Sequence, residues 1–288
     1  MEKYEIKANA KINLGLDVVG RLENVYHEVR MIMQSVGIAD TLTLEKIPSG
    51  IIVNTSSGEL PTDENNLIYR AAKLMMEEFA IPGGVRIYLE KRIPIVAGMA
   101  GGSTDAAATM KGINQLYDLG IETGRLMELG VRIGADVPYC VMGGTALAEG
   151  IGEKLTALED APAPFLLVAK PECGVSTKYV YEHLDAEGVK CHPDIDGMVE
   201  AIREGSLQGI VDRLGNVLES VTVKAHPEIA GLKSRMMELG ALGSLMSGSG
   251  PTVFGIFDRE DLARQAYSRL QEEQAAKQIF LTTFERKE

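Results

Sequence analysis

Between Pro94 and Asp105 the chain reads Pro94-Ile95-Val96-Ala97-Gly98-Met99-Ala100-Gly101-Gly102-Ser103-Thr104-Asp105, and this stretch restricts the possible folds more than any other. Before it, Val85 to Lys91 alternates apolar and polar residues, the period of a half-buried strand. After it, Ala106, Met110, Ile113 and Tyr117 recur at helical spacing, so a helix is expected to begin at Ser103 or Thr104. Strand, glycine-rich turn and helix start can together make a phosphate cradle. Glycine lets backbone N–H groups approach an anion closely, and a helix N-terminus adds unpaired donors and roughly half a positive charge. The same pattern also suits an ordinary tight connection. It is not a Walker loop, because no Gly-Lys-Ser/Thr follows, and the glycine spacing does not fit the dinucleotide fingerprint. The protein-kinase glycine loop is excluded too, since neither His-Arg-Asp nor Asp-Phe-Gly comes later.

Composition narrows the ligand. With 29 Lys and Arg against 41 Asp and Glu the chain carries a formal charge of −12, which argues against nucleic acid or an anionic membrane as main partner. A phosphorylated small molecule would have to be held by local charge and backbone donors. Cys140, Cys173 and Cys191 show no metal-ligand spacing, and His27, His183, His192 and His226 are scattered, so no protein-bound metal site is expected. No apolar run resembles a signal peptide or a membrane span, and a cytoplasmic protein is expected.

Along the chain, Tyr4–Asn9 and Lys11–Val18 alternate as strands. In the second, Ile12, Leu14, Leu16 and Val18 face one way and Lys11, Asn13, Gly15 and Asp17 the other. That second face could line a cleft or be solvated. Strands are expected around 28–35 and 41–45, a helix capped by Asn65, and a carboxylate, Asp136, in the small-residue turn Gly134–Pro138. Ala161-Pro162-Ala163-Pro164 is the linker candidate, dividing the chain into domains 1–160 and 161–288. Beyond it come helices over 177–184, 195–204, 207–218 and 227–239. A strand, glycine-rich turn and strand over 243–257, a helix and a last strand then suggest an α+β arrangement.

Three separated elements stand out: Lys11-Ile12-Asn13, the central loop, and Ser247-Gly248-Ser249-Gly250-Pro251. Their order and spacing resemble the three motifs of the small-molecule kinase superfamily that includes galactokinase, homoserine kinase, mevalonate kinase and phosphomevalonate kinase. Tyr26-His27, Asn66-Leu67-Ile68, Gly134–Pro138 and Gly174–Thr177 extend the likeness over essentially the whole chain. It is nearest the branch whose acceptor is a cytidine-diphosphate-linked methylerythritol.

The resemblance implies an α+β fold of two domains, an N-terminal α/β-sandwich-like domain and a ferredoxin-like C-terminal one, with the active site in the cleft between them. It implies ATP-dependent phosphorylation of the acceptor's 2-hydroxyl in the non-mevalonate isoprenoid route, with Mg2+ accompanying ATP. Lys11 and Asp136 then match catalytic positions. The run Pro94, Ile95, Val96, Ala97, Gly98, Met99, Ala100, Gly101, Gly102, Ser103 and Thr104 matches the ATP phosphate loop, and Lys91 a position near the adenine. Asn13 matches a position beside the acceptor hydroxyl, and Tyr26, His27, Thr177 and Tyr181 match positions around the cytidine. A hydroxyl of Ser103 or Thr104 is open as a magnesium ligand. Many relatives have glycine at Val25 and aspartate at Asn24, a small residue at Val96 and leucine at Met99. Other readings are a superfamily kinase for another small alcohol, or a non-catalytic nucleotide sensor; retention of both Lys11 and Asp136 argues against the sensor.

Overall fold

A computed structural model describes residues 2–21, 27–185, 188–189 and 191–287. The strands are β1 (Lys3–Arg21), β2 (His27–Ile47), β3 (Gly50–Thr55), β4 (Gly84–Glu90), β5 (Thr145–Gly150), β6 (Lys154–Ala157), β7 (Phe165–Lys170), β8 (Gly215–Asn216), β9 (Gly243–Met246), β10 (Val253–Phe257) and β11 (Gln278–Thr283). The helices are α1 (Leu67–Glu78), α2 (Gly101–Tyr117), α3 (Thr123–Gly130), α4 (Val137–Met142), α5 (Thr177–His183), α6 (Ile195–Arg203), α7 (Leu207–Val211), α8 (Glu219–Ala225), α9 (Glu228–Glu238) and α10 (Glu260–Glu272). No described helix is long and apolar enough to cross a membrane.

The residues form two compact units that are discontinuous in sequence. The first holds Met1–Ala10, Ile38–Ile93 and Ala100–Met142, the second Lys11–Gly37, Pro94–Met99 and Gly143–Glu288. In the first unit the strand order is β3-β4-β2-β1. β4 pairs antiparallel with β2 from Thr41↔Glu90 to Ile47↔Gly84, and parallel with β3. Leu42, Leu44, Val53, Val85, Ile87 and Leu89 are buried with Ile68, Ala71 and Met75 of α1 and Ala107, Met110 and Ile113 of α2. This is the packing that period-2 strands and 3.6-period helices dictate when each hides one apolar face. Gly112 lets α2 approach closely, since a Cβ there would lie 2.7 Å from Leu44 Cδ1.

The second unit contains the antiparallel sheet β11-β7-β10-β9. Numbered along the chain, those four strands lie in the order 4-1-3-2, the ferredoxin-like arrangement. Val168, Phe254, Ile256 and Phe257 are fully buried there, against Ala263, Ala266 and Leu270 of α10. The unit also holds the part of β2 that pairs with β5 over Val29↔Gly150 to Gln34↔Thr145, and the part of β1 that pairs parallel with β8.

Several local expectations shift. The strands expected over 4–9 and 11–18 are one strand, as are those around 28–35 and 41–45. The cap of α1 is Asn66, whose Oδ1 accepts from the Ile68 N–H at 2.8 Å, because Asn65 turns to Asp63 instead. The helix expected over 207–218 stops at Val211, because Gly215 and Asn216 leave it to pair with Gly15 and Leu16. The face carrying Lys11, Asn13 and Asp17 is not solvated: all three are buried, and α6 lies over it, with Ile195 Cδ1 2.7 Å from where a Gly15 Cβ would stand.

Candidate active site

In the second unit the entry to the glycine loop is shaped by backbone that only particular residues tolerate. Val96 (φ 52°) and Gly98 (φ 71°) are left-handed. A Cβ at Gly98 would overlap the Ser247 carbonyl oxygen, so the loop and the Ser247 turn meet backbone to backbone. Ser247 Oγ donates to the Gly98 carbonyl at 3.0 Å, and the Lys11 N–H donates to the Met99 carbonyl at 3.2 Å. All three motifs singled out in the sequence therefore touch within this unit.

The Ser247 turn is held from behind by a residue that sequence patterning does not flag. Asn216 Nδ2 donates to the carbonyls of Met246 and Gly248, both at 2.8 Å, while its Oδ1 accepts from the Leu218 N–H at 3.0 Å. Thr222 Oγ1 donates to the Ser249 carbonyl at 3.1 Å.

Lys11 is buried, and its ammonium donates to Asn13 Oδ1 at 2.8 Å. Two residues apart on a strand, they share a face. Thr177, at the start of α5, lies 2.8 Å from Ser249 through their hydroxyls. The rings of His27 and Tyr181 are 5.3 Å apart and tilted by 35°. Tyr26, with Asn24 and Val25, lies outside the described residues.

In the first unit Ala100 (φ 56°) turns the chain into α2. The helix begins at Gly101, two residues earlier than Ser103, because the Thr104 N–H reaches the Ala100 carbonyl at 2.9 Å. Thr104 Oγ1 is engaged, donating to the Asn9 carbonyl at 2.7 Å. Ser103 is half-buried and makes no side-chain hydrogen bond among the described residues. The two candidates for a magnesium hydroxyl ligand thus differ in availability. Asp136 is half-buried in a turn that the Val137 N–H closes onto the Gly134 carbonyl at 3.1 Å, and its own carbonyl accepts from Cys140 N–H in α4.

Beneath the first turn of α2 sits a buried charge cluster. Lys91 Nζ lies 2.5 Å from Asp40 Oδ2 and 2.8 Å from Asp105 Oδ2. It is also 3.0 Å from the position a Gly101 Cβ would take. Asp40 Oδ1 accepts from the backbone N–H groups of Arg92 and Ile93, fixing the strand end that leads into the loop. Asp105 Oδ1 is buried without a hydrogen-bond partner among the described residues. Burial, chiefly, holds the Asp105 carboxyl well above its ordinary range; the Lys91 charge opposes this and the Asp40 charge adds to it. Sequence reasoning missed Asp40 and Asp105. A signal existed: Asp40 interrupts the inward series Ile38, Leu42, Leu44, a polar residue on an apolar face.

The model for the GHMP kinases N terminal domain matches residues 66–144, and that for GHMP kinases C terminal matches 198–276. A 4-diphosphocytidyl-2-C-methyl-D-erythritol kinase of Lachnospira eligens is 53% identical over 283 residues, covering 98% of each chain. One of Caldicellulosiruptor bescii is 51% identical, over 97% of each. A crystal structure of a 4-(cytidine 5'-diphospho)-2C-methyl-D-erythritol kinase superposes with a TM-score of 0.84 at 36% identity, covering 98% of this chain and 99% of that one. Homoserine kinase from Cytophaga hutchinsonii shares the fold, with a TM-score of 0.78 at 20% identity over 98% and 94% of the two chains. Such likeness along the full length, with all three motifs retained, places the chain in the 4-diphosphocytidyl-2-C-methyl-D-erythritol kinase family, among the ATP-dependent GHMP kinases.

Proposed function

We propose that this chain transfers the γ-phosphoryl group of ATP to the 2-hydroxyl of 4-diphosphocytidyl-2-C-methyl-D-erythritol, releasing ADP, in the non-mevalonate isoprenoid pathway. The observation that carries the reading is the 53% identity, over 98% of each chain, to a kinase of that name.

The chemistry available to the named residues supports it. Phosphoryl transfer through a loose transition state needs positioning and charge stabilisation more than covalent help. The glycine loop and the start of α2 would cradle the ATP phosphates with backbone N–H groups, which an acidic protein needs for an anionic ligand. The Lys11 ammonium would stabilise charge on the phosphoryl group in flight. Asn13, its hydrogen-bond partner, would orient the acceptor hydroxyl. Asp136 would take the hydroxyl proton as the new P–O bond forms and the bond to ADP breaks. Tyr181, with Tyr26, would sandwich the cytosine, and His27 would hydrogen-bond its polar edge. Magnesium, when bound with ATP, would neutralise charge on its β and γ phosphates. The Ser103 hydroxyl is the donor suited to it, a hard oxygen with no competing side-chain bond among the described residues.

The test is ADP release with MgATP and the cytidyl acceptor, run beside mevalonate, homoserine and galactose. Turnover confined to the cytidyl acceptor supports the assignment; turnover only with another alcohol overturns it. Asp136→Ala should lower kcat by about 100- to 10,000-fold, and a loss of only a few-fold would remove Asp136 from the proton transfer.

A further inference from the structure

On the second unit, three ligand-type side chains to which no role is assigned above converge from two distant stretches of the sequence. The Cys173 thiol, the His226 imidazole and the Glu228 carboxylate place one donor atom each within 4.8 Å of one another, the one such group among the described residues. We propose that Cys173, His226 and Glu228 form a binding site for a borderline-soft divalent cation of the zinc class, with a fourth position open to water.

The local structure favours chelation. His226 caps α8 and Glu228 opens α9, with only Pro227 (φ −61°) between them. The fixed proline angle holds the two side chains as a pair, and His226 Nδ1 already lies 3.5 Å from Glu228 Oε1. Two ligands about 2.0–2.1 Å from a tetrahedral zinc ion would stand roughly 3.3 Å apart, so that pair needs little adjustment. The third donor comes from the loop after β7, whose turn is held by Lys170 Nζ donating to the carbonyls of Pro171 and Cys173, both at 3.0 Å. Cys173 has no disulfide partner. Thiol, imidazole and carboxylate together suit zinc, cobalt or nickel and disfavour magnesium and calcium, which take oxygen ligands. His226 and Glu228 are 30% and 46% exposed, leaving a path for a solvated ion. Burial, with the Glu228 carboxylate beside it, pushes the thiol up to about 11. Coordination therefore forms an S–metal bond and breaks the S–H bond, and the proton passes to the buffer.

Cobalt(II) titration of the untagged full chain, without nucleotide, tests the site. One equivalent should bind with thiolate-to-cobalt charge-transfer absorption, and zinc should displace it. Cys173→Ser should abolish that absorption, His226→Gln should weaken binding more than about tenfold, and Cys191→Ser and Cys140→Ser should leave it intact. Absence of binding, binding without the thiolate band, or a band that survives Cys173→Ser would overturn the proposal.

Discussion

Lys91 Nζ lies 2.8 Å from Asp105 Oδ2 beneath the first turn of the glycine-loop helix, with Asp40 closing the cluster on the other side. Three ionisable groups with one positive charge between them cannot all be comfortably ionised in a buried site. Asp105, whose second oxygen has no partner among the described residues, carries the conflict.

A pH dependence follows. Because the folded state raises the Asp105 pKa above its ordinary 3.8, the folded state holds that proton more tightly than the unfolded chain. The associated stability is fully present below about 3.8 and is lost as pH rises towards the raised folded value. Asp105→Asn removes the titration while keeping the shape. The unfolding free energy of the wild type minus that of Asp105→Asn should therefore fall as pH rises from about 4, measured by denaturant melts across pH. A difference that is flat or rises over that range would contradict the reading.

Asp40 should behave differently. Its two oxygens hold Lys91 and the N–H groups of Arg92 and Ile93. Asp40→Asn weakens the buried ion pair and should cost about 3–5 kcal/mol, seen as a lowered denaturation midpoint. A cost comparable to that of a surface substitution would mean the cluster does not brace the loop.

The two central glycines separate fold from ligand. Gly98→Ala forces a Cβ into the Ser247 carbonyl at a positive φ and should destabilise by more than the roughly 1–2 kcal/mol that a left-handed residue costs. Gly102 lies in α2, and its nearest obstacle would be Leu67 Cδ1 at 3.4 Å. Gly102→Ala should leave stability equal or up to about 1 kcal/mol higher while raising KM for ATP. An unchanged KM would remove Gly102 from the phosphate cradle.

Val96 offers a stabilising change. It is 60% exposed and adopts a φ of 52°, which a β-branched side chain resists. Asparagine tolerates that region, so Val96→Asn should gain up to about 1 kcal/mol, read as a raised thermal midpoint.

Asn216 makes three hydrogen bonds, two of them to the Ser247 turn. At about 1 kcal/mol net for each, Asn216→Ala should cost about 2–4 kcal/mol in denaturant unfolding. A loss near zero would show that the turn holds its shape unaided.

Much of this protein is written locally. The alternation around Lys11, the glycines at 98, 101 and 102, and the period of α2 depend on near neighbours in sequence, so strands, loop and helix can be read directly. The kinase family can be read as well, because its three motifs are short, separated and retained. The ferredoxin-like order of β7, β9, β10 and β11 follows the family expectation. Tertiary structure decided the rest. Whether the Lys11–Asp17 face met solvent depended on α6, which begins some 180 residues later in the chain. The break after Val211 depended on Gly215 and Asn216 finding β1. Asp40, Asp105 and Lys91 form a charged cluster, and Cys173, His226 and Glu228 a set of ligand-type side chains, only because packing brings distant segments together. Local spacing encodes what a residue does to its own backbone. Burial, ion pairing and ligand geometry arise between segments, and no window of sequence contains them.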